Sequence, residues 1–151
     1  MTDKTFGTKS PDIVYREIKG AYLIAPERGE LHVIKRADGS YSLPGAELAD
    51  GISHEDAILG ACLDQTGYDV AVADYVTDVD LFDSEQALHV TETYYSGSFI
   101  EQIAPQSDLS VKHERISLQS TNLLSPMQRY AVLQCTEMLR ADAHGSDDED
   151  L

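Results

Sequence analysis

Short runs of apolar and β-branched residues, separated by turn-forming residues, dominate the beginning of the chain. Such runs lie at residues 13–18, 21–25, 31–35 and 41–43. Runs of this length and composition are typical of β-strands. Residues 26–29 (Pro-Glu-Arg-Gly) and the Asp38-Gly39 pair separate two of these runs from their neighbours with residues that turns favour. The first 43 residues therefore predict strands joined by short turns.

The pattern changes to a helical one after residue 52. Ser53 and Asp56 have the spacing of an N-terminal helix cap, and Gly67 suits the left-handed residue that commonly ends a helix. We therefore expect a helix over residues 53–66. Apolar residues cover most of its circumference, which predicts burial on more than one side.

More strands and a second helix follow. Strand-like runs lie at residues 70–72, 75–81, 88–100 and 114–118. Ser125-Pro126 combines a capping residue with proline at the first helical position, and apolar residues then recur at helical spacing. Strands, a helix, more strands and a closing helix predict an α+β or α/β/α layered domain.

The distribution of polar residues sets the expected domain limits. Residues 1–11 are predicted to form a flexible N-terminal tail, residues 12–141 one domain, and residues 142–151 an acidic disordered tail. A chain of 151 residues is long enough for one domain with a sizeable core.

The composition is ordinary except for its charge. The sequence has 11 Lys and Arg against 27 Asp and Glu, a formal net charge of −16 at pH 7. Such a field repels nucleic-acid phosphates and anionic lipid, so we expect neither a nucleic-acid polymer nor a membrane as a partner. The same field opposes a free nucleotide unless divalent cations or a local basic spot intervene.

The cysteines and the N-terminus indicate the compartment. Cys62 and Cys135 lie among apolar residues in helical patterns, which predicts buried free thiols, and their spacing is not that of a zinc site. The N-terminus lacks an apolar signal region, and no run approaches the ~18 apolar residues of a membrane span. We therefore expect a soluble cytoplasmic protein.

Residues 43–68 resemble a Nudix box, the loop–helix–loop of hydrolases that act on nucleoside diphosphates linked to another group. The Leu-Pro-Gly lead-in matches at residues 43–45, the end matches at Gly67 and Tyr68, and Cys62 stands at the central apolar position. The spacing is kept without a gap, and the resemblance extends over roughly residues 12–139. It implies a Nudix-like α/β/α sandwich with a central mixed sheet.

The charged positions of the box are mostly replaced. Ala46 stands for its first glycine and Ile52 for its first glutamate, Gly60-Ala61 for its Arg-Glu pair, and Asp64-Gln65 for its Glu-Glu pair. In active relatives these glutamates hold divalent metal ions, which neutralise the pyrophosphate and position the attacking water. In this degenerate Nudix box, one acid of that set survives.

The resemblance yields a short set of candidate chemical residues. Asp64 is the candidate catalytic residue, and Gly45, Asp64 and Glu47 are the candidate metal ligands, for Mg²⁺ or Mn²⁺ in an active enzyme. Further acids that might complete such a site are Asp50 in the loop, and Glu92 and Glu101 on or near the longest strand-like run. Solvation of the loop acids explains Glu47 and Asp50 without a metal.

Arg36 and Tyr94 are the candidate substrate-binding residues. Arg36 ends a predicted strand at a place where some Nudix relatives have an arginine near the nucleotide, and its alternative is a solvated cation. Tyr94 and Tyr95 alternate along a strand, so one is expected in the core and the other in a cleft or solvent. His113 and His89 have no carboxylate or nucleophile partner in evident spacing.

These residues support one principal function and two alternatives. The first is a Nudix-superfamily protein that is impaired or inactive as a metal-dependent hydrolase and acts by binding a nucleotide-type small molecule or a protein. The second is an active Mg-dependent pyrophosphohydrolase of nucleoside diphosphate derivatives that uses a relocated metal site. The third is a homodimer whose interface is what matters.

Overall fold

The computed structural model describes the backbone of residues 4–149 and the side chains of residues 4–142. The nine strands and two α-helices of these residues follow one another in chain order, with one 3₁₀ turn at Leu118–Leu123 before the last helix. They are β1 (Lys4–Phe6), β2 (Arg16–Ile24), β3 (Pro26–Glu27), β4 (Glu30–Arg36), β5 (Tyr41–Ser42), β6 (Gly45–Glu47), α1 (His54–Thr66), β7 (Tyr68–Asp83), β8 (Leu88–Gln102), β9 (Val111–Ser117) and α2 (Pro126–Glu149).

The strands form two sheets. The larger has the order β1-β7-β8-β2-β6, with β2 parallel to β8 and β7 antiparallel to β8. The smaller is built on β4, which pairs antiparallel with β3, β5 and β9. The mixed larger sheet confirms the predicted α+β class.

The two helices cover different faces of the larger sheet. Ile58 and Cys62 of α1 pack against Leu23 and neighbouring apolar residues on one side. Met127 and Cys135 of α2 pack with the residues of the other side. Alternating side chains on the strands therefore feed two apolar layers, as in a layered sandwich.

The cysteines are free and buried, as expected. Burial raises the pKa of Cys62 to about 12 and that of Cys135 to about 11. Both thiols are therefore protonated at neutral pH.

The described parts of both chain ends contain regular secondary structure. Lys4–Phe6 pairs in parallel with β7, and Phe6 packs against the core on the α2 side. The backbone of α2 continues to Glu149, into the acidic segment predicted to be disordered. The residues that pair with β1 lie 75 positions further along the chain, so local composition does not reveal this pairing. The remaining tail residues, 1–3 and 150–151, lie outside the described residues.

Neither helix of the described residues is long and apolar enough to cross a membrane.

Candidate functional site

The loop and helix of residues 43–67 have the local geometry that their sequence predicts. Ser53 caps α1 through its hydroxyl, which accepts a hydrogen bond from the Asp56 N–H at 3.1 Å. Gly67 ends the helix with φ +77° and donates its N–H to the Leu63 carbonyl at 2.8 Å. Gly45 opens β6 against β2, where a Cβ would lie 2.3 Å from the Ala21 carbonyl oxygen. The close approach at Gly45 explains why the loop needs glycine there.

The side chain of Gln65 clasps the backbone of Gly45. Its amide Nε2 donates to the Gly45 carbonyl at 3.1 Å, and its Oε1 accepts from the Gly45 N–H at 3.3 Å. Both residues are buried. The carbonyl that the resemblance makes a metal ligand therefore has a protein hydrogen-bond partner in place.

Asp64 is directed to the loop that precedes β9 rather than to Gly45. Its Oδ1 accepts a hydrogen bond from the Ser107 hydroxyl at 3.1 Å. Its backbone carbonyl accepts from the N–H groups of Ser107 and Asp108 at 3.1 and 2.8 Å. The exposed carboxylate of this candidate catalytic residue thus helps to tie α1 to the following loop.

The other positions of the box supply no further metal ligands. Ile52 is 47% exposed, Gly60 lies exposed on α1, and Ala61 is packed in the interior. Glu47 is exposed on β6, opposite Gly20 of β2. Across the residues whose side chains are described, no three His, Cys, Asp or Glu side chains converge as a metal site would require.

The donor set therefore does not fit the metal ions that the resemblance implies. Mg²⁺ and Mn²⁺ favour several hard oxygen donors in near-octahedral geometry. The three candidate ligands supply one hydrogen-bonded carbonyl and two exposed carboxylates, one of which is engaged by Ser107.

Glu92 and Glu101, the two further acids that might complete a metal site, lie at different positions along β8. Glu101 is exposed near the end of β8, opposite Asp69. Glu92 lies on the same strand and accepts a hydrogen bond from the Tyr94 hydroxyl. Burial raises the pKa of the Glu92 carboxyl, although the Tyr94 hydrogen bond opposes this shift. The Glu92 carboxyl is therefore already engaged by a side chain of its own strand.

Tyr94 lies in the core and Tyr95 is partly exposed, the division that strand alternation predicts. Tyr94 has 0% exposure and packs beside Tyr22, with their ring centroids 5.9 Å apart. Its ring has no accessible surface for stacking on a base. Tyr95 instead contacts α1, where its hydroxyl lies 2.8 Å from His54 Nδ1.

Arg36 borders a cleft of about 550 Å³ between the β4–β5 turn and the start of β9. We call this the basic cleft, and its principal lining residues are Lys35, Arg36, Asp38, Leu109, Val111 and Lys112. Sequence reasoning identified Arg36 alone. Lys35 and Lys112 were missed because they come together only through the β4–β9 register, which places them directly opposite each other.

The histidines have partners that their sequence spacing does not reveal. His89 is held between Glu17 at 2.5 Å and Asp80 at 3.0 Å, with its ring stacked on Phe82. His113 Nε2 lies 2.8 Å from Nδ1 of His32. Each of these contacts joins residues on different strands.

The His32–His113 pair extends to a carboxylate. His32 Nε2 lies 3.1 Å from Glu27 Oε1, and Arg115 binds the other oxygen of Glu27 at the same distance. Burial, followed by the charges of His32 and Arg115, lowers the pKa of His113 to about 4. His113 is therefore neutral at pH 7, and the group stabilises the packing of β4 against β9.

The layered architecture and the loop–helix of residues 43–67 define the fold of the Nudix hydrolases. The chain is similar in structure to a NUDIX hydrolase from Nitrosomonas europaea (TM-score 0.69, 13% identity, 84% of this chain and 90% of that one). It is also similar to a MutT NUDIX hydrolase from Burkholderia pseudomallei (TM-score 0.67, 18% identity, 79% and 98%). A third similar structure is an ADP-ribose pyrophosphatase from Streptococcus suis (TM-score 0.62, 17% identity, 82% and 92%).

The similarity to known proteins is found by comparing structures and not by comparing sequences. No protein-family model matches the chain, and no curated protein matches it. At identities this low, the structural similarity establishes the Nudix fold.

Proposed function

We propose that this chain is a Nudix-fold protein that binds a nucleotide-type small molecule and has lost ordinary metal-dependent hydrolysis. The observation that carries the proposal is the clasp between Gln65 and Gly45. At the position where the box has a metal-binding glutamate, Gln65 is a neutral amide whose two polar atoms are both hydrogen-bonded to the Gly45 backbone, so this side chain supplies no charged ligand and already uses one of the two lone pairs of the Gly45 carbonyl. The neighbouring Asp64 is held by Ser107.

Two features support a nucleotide-type ligand. One similar structure is an ADP-ribose pyrophosphatase and another is a UDP-X diphosphatase, so the fold is compatible with ligands that contain a nucleoside diphosphate. The basic cleft supplies the local positive charge that a nucleotide needs on a chain of net charge −16. Binding therefore does not require the metal site.

The test combines a hydrolysis screen with a binding assay. ADP-ribose, UDP-glucose, ADP and dGTP are incubated with the purified protein in Mg²⁺ or Mn²⁺, and thermal melting is followed with the same compounds in EDTA. We expect turnover to stay well below the order of 1 s⁻¹ that is ordinary for enzymes. We also expect at least one compound to raise the melting temperature, because a ligand that binds only the folded state stabilises it.

Turnover at an ordinary rate would contradict the loss of hydrolysis. The variants Asp64→Asn and Glu47→Gln would then locate a metal site, with Asp56→Asn as a matched control in the first turn of α1. Loss of turnover in the first two variants alone would establish the relocated site. A flat melting temperature with every compound would instead remove the binding function.

A further inference from the structure

Strand β2 is paired along only part of the edge that faces away from β8. All nine of its residues, Arg16–Ile24, pair with β8 on one side. On the other side β6 pairs with residues 20–22, and one further hydrogen bond runs from the Leu48 N–H to the Lys19 carbonyl at 2.8 Å. Among the described strands, none pairs with residues 16–18 on this side, and we call this stretch of backbone the open edge.

The backbone groups of Glu17 point toward the open edge. Successive residues of a strand direct their N–H and C=O groups to alternate sides. The Arg16 N–H faces the β8 side, where it donates to the Ala87 carbonyl at 2.8 Å, and the Lys19 carbonyl faces the other side, toward Leu48. Glu17 therefore directs both its N–H and its C=O away from β8. Such edge groups are the template on which an extended peptide adds a strand.

A groove of about 330 Å³ lies beside the open edge. We call it the loop groove, and it is lined by Glu17 and Lys19 of β2 and by the loop residues 48–52. Ile52, which stands where the box pattern has its first glutamate, is 47% exposed there. Leu48 adds a second, half-buried apolar side chain. The replacement at Ile52 thus gives the groove an apolar wall where a complete box would place a further charge.

The charges of the loop groove favour a basic partner. Glu17 and Asp50 line it against one cation, Lys19. The Glu17 side chain is 59% exposed, although its Oε2 lies 2.5 Å from His89, and Asp50 is exposed. The net charge of −16 attracts a basic segment at longer range. A basic residue directly opposite Glu17 would share its face of the sheet, and opposite charges across neighbouring strands stabilise their pairing.

The loop groove lies at the other end of α1 from the positions that hold metal ions in a complete Nudix box. Its loop residues precede His54, where α1 begins, and Asp64 follows His54 by 10 positions. At ~1.5 Å per helical residue, the two places are roughly 15 Å apart. A segment bound at the open edge therefore leaves the clasp between Gln65 and Gly45 in place.

We propose that the open edge binds an extended basic segment of a partner protein, which adds a strand to the larger sheet beside Glu17. A lysine or arginine of this segment lies opposite Glu17, with its charged group near Asp50 and its aliphatic part against Ile52. The next side chain is apolar and packs on the other face of the sheet, beside the half-buried Ile18. The inference is independent of the nucleotide-type ligand proposed above.

A nuclear magnetic resonance titration of the full chain with the peptide acetyl-Lys-Val-Lys-Val-Lys-Val-amide tests the inference. The titration is done at about 0.15 M NaCl, where attraction between distant charges is screened. We expect the Glu17 amide resonance to shift and its hydrogen exchange to slow, because this N–H gains a hydrogen-bond partner. The Ile18 amide, which faces β8, should gain no such protection. A peptide with Glu in place of each Lys is expected to leave both amides unchanged.

A matched pair of variants locates the contact. Asp50→Lys/Ile52→Ser changes one acid and one exposed apolar residue of the loop groove, and Glu101→Lys/Leu63→Ser makes the same changes at exposed positions outside it. We expect the lysine peptide to bind the groove variant roughly tenfold more weakly than the control, because a charge contact and an apolar contact are lost. The single variants Asp50→Lys and Glu101→Lys give the same comparison if a double variant fails to fold.

Two forms of the lysine peptide, N-methylated at its lysine amides or at its valine amides, distinguish strand addition from simple charge attraction. One of these alternating sets of amides faces β2 in an added strand, so only one form should lose its affinity. Equal affinity of the two forms would overturn the inference, because the peptide would then be held by its charge alone. Equal affinity of the groove variant and its control, or an unchanged Glu17 amide throughout the titration, would also overturn it. None of these results bears on the binding of a nucleotide-type ligand, which is measured separately.

Discussion

At the scale of single residues, Gln65 differs from the glutamate of the box pattern by an amide nitrogen in place of a carboxylate oxygen. This difference changes the hydrogen bonds that the side chain can make. A glutamate carboxylate accepts hydrogen bonds, whereas the amide of Gln65 both donates and accepts. The amide can therefore pair with both polar groups of the buried Gly45 backbone at once. A carboxylate at this position would face the Gly45 carbonyl without a donor, and a bound cation would be needed to reconcile the two oxygens.

His89 should make the stability of the protein depend on pH. Burial disfavours its charged form, but the hydrogen bonds to Glu17 and Asp80 outweigh burial and raise the pKa of His89 above its usual value of about 6.5. A raised folded-state pKa stabilises the protein below the unfolded-state pKa, and this contribution is lost as the pH rises through the folded-state value. The destabilisation caused by His89→Gln should therefore be larger at about pH 6 than at about pH 8.

Urea unfolding of the wild type and the variant at the two pH values measures this difference. The exposed Gln119→Ala serves as a control whose effect should not depend on pH. An equal destabilisation by His89→Gln at both values would show that the two carboxylates do not favour the charged histidine.

At the scale of elements, α1 is fixed at both ends by groups that its own sequence supplies. The Ser53 hydroxyl starts the helix and the left-handed Gly67 ends it. The next contact is tertiary, since the Gly67 carbonyl accepts from the N–H groups of Ile103 and Ala104 at 2.9 and 3.1 Å. The C-terminal glycine is therefore both a helix cap and the attachment point of the loop after β8.

Two glycines of this segment give a paired prediction. Gly67→Ala should destabilise the protein by more than about 1 kcal/mol, because φ is +77° and an added Cβ would lie 2.1 Å from the Ala104 carbonyl oxygen. Gly60→Ala should stabilise it by roughly 0.5–1 kcal/mol, since Gly60 is exposed within α1 and a Cβ there meets nothing within 4 Å. Chemical denaturation of both variants measures the two opposite signs, and a destabilised Gly60→Ala would contradict the helical propensity argument.

The same contrast between local and distant contacts explains what the sequence could predict. The caps at Ser53, Gly67 and Ser125 were predictable because each depends on residues within one helical turn. The bond from Asp64 to Ser107 spans 43 positions, and the Lys35–Lys112 pair depends on the exact β4–β9 register. The box pattern identified the helix positions that lack metal ligands. The pairing of Gln65 with Gly45 could not be predicted, because it depends on how the loop before α1 folds back onto the helix.

At the scale of the whole molecule, the charge is unevenly distributed. With a net charge of −16, the acidic side chains repel one another in the compact state. Three of the basic residues, Lys35, Arg36 and Lys112, line the basic cleft. The described ion pairs are few, and the pair between Arg115 and Glu27 joins two side chains that are each more than 40% exposed. Exposed pairs of this kind add little stability. Long-range repulsion between carboxylates should therefore exceed the local attraction.

The melting temperature should consequently rise with salt. Between about 0.02 M and 0.5 M NaCl the screening length falls from more than 10 Å to less than 8 Å, which weakens repulsion between distant carboxylates. The variant Glu101→Gln/Glu137→Gln removes two exposed negative charges, so it should melt higher than the wild type at low salt and respond less to added salt. Thermal melting followed by circular dichroism, with both proteins at several NaCl concentrations, checks both differences. A melting temperature that falls or stays flat would mean that local ion pairs outweigh the net charge. A variant whose response to salt equals that of the wild type would mean that added salt acts through a bound anion, for which the basic cleft is the first place to look.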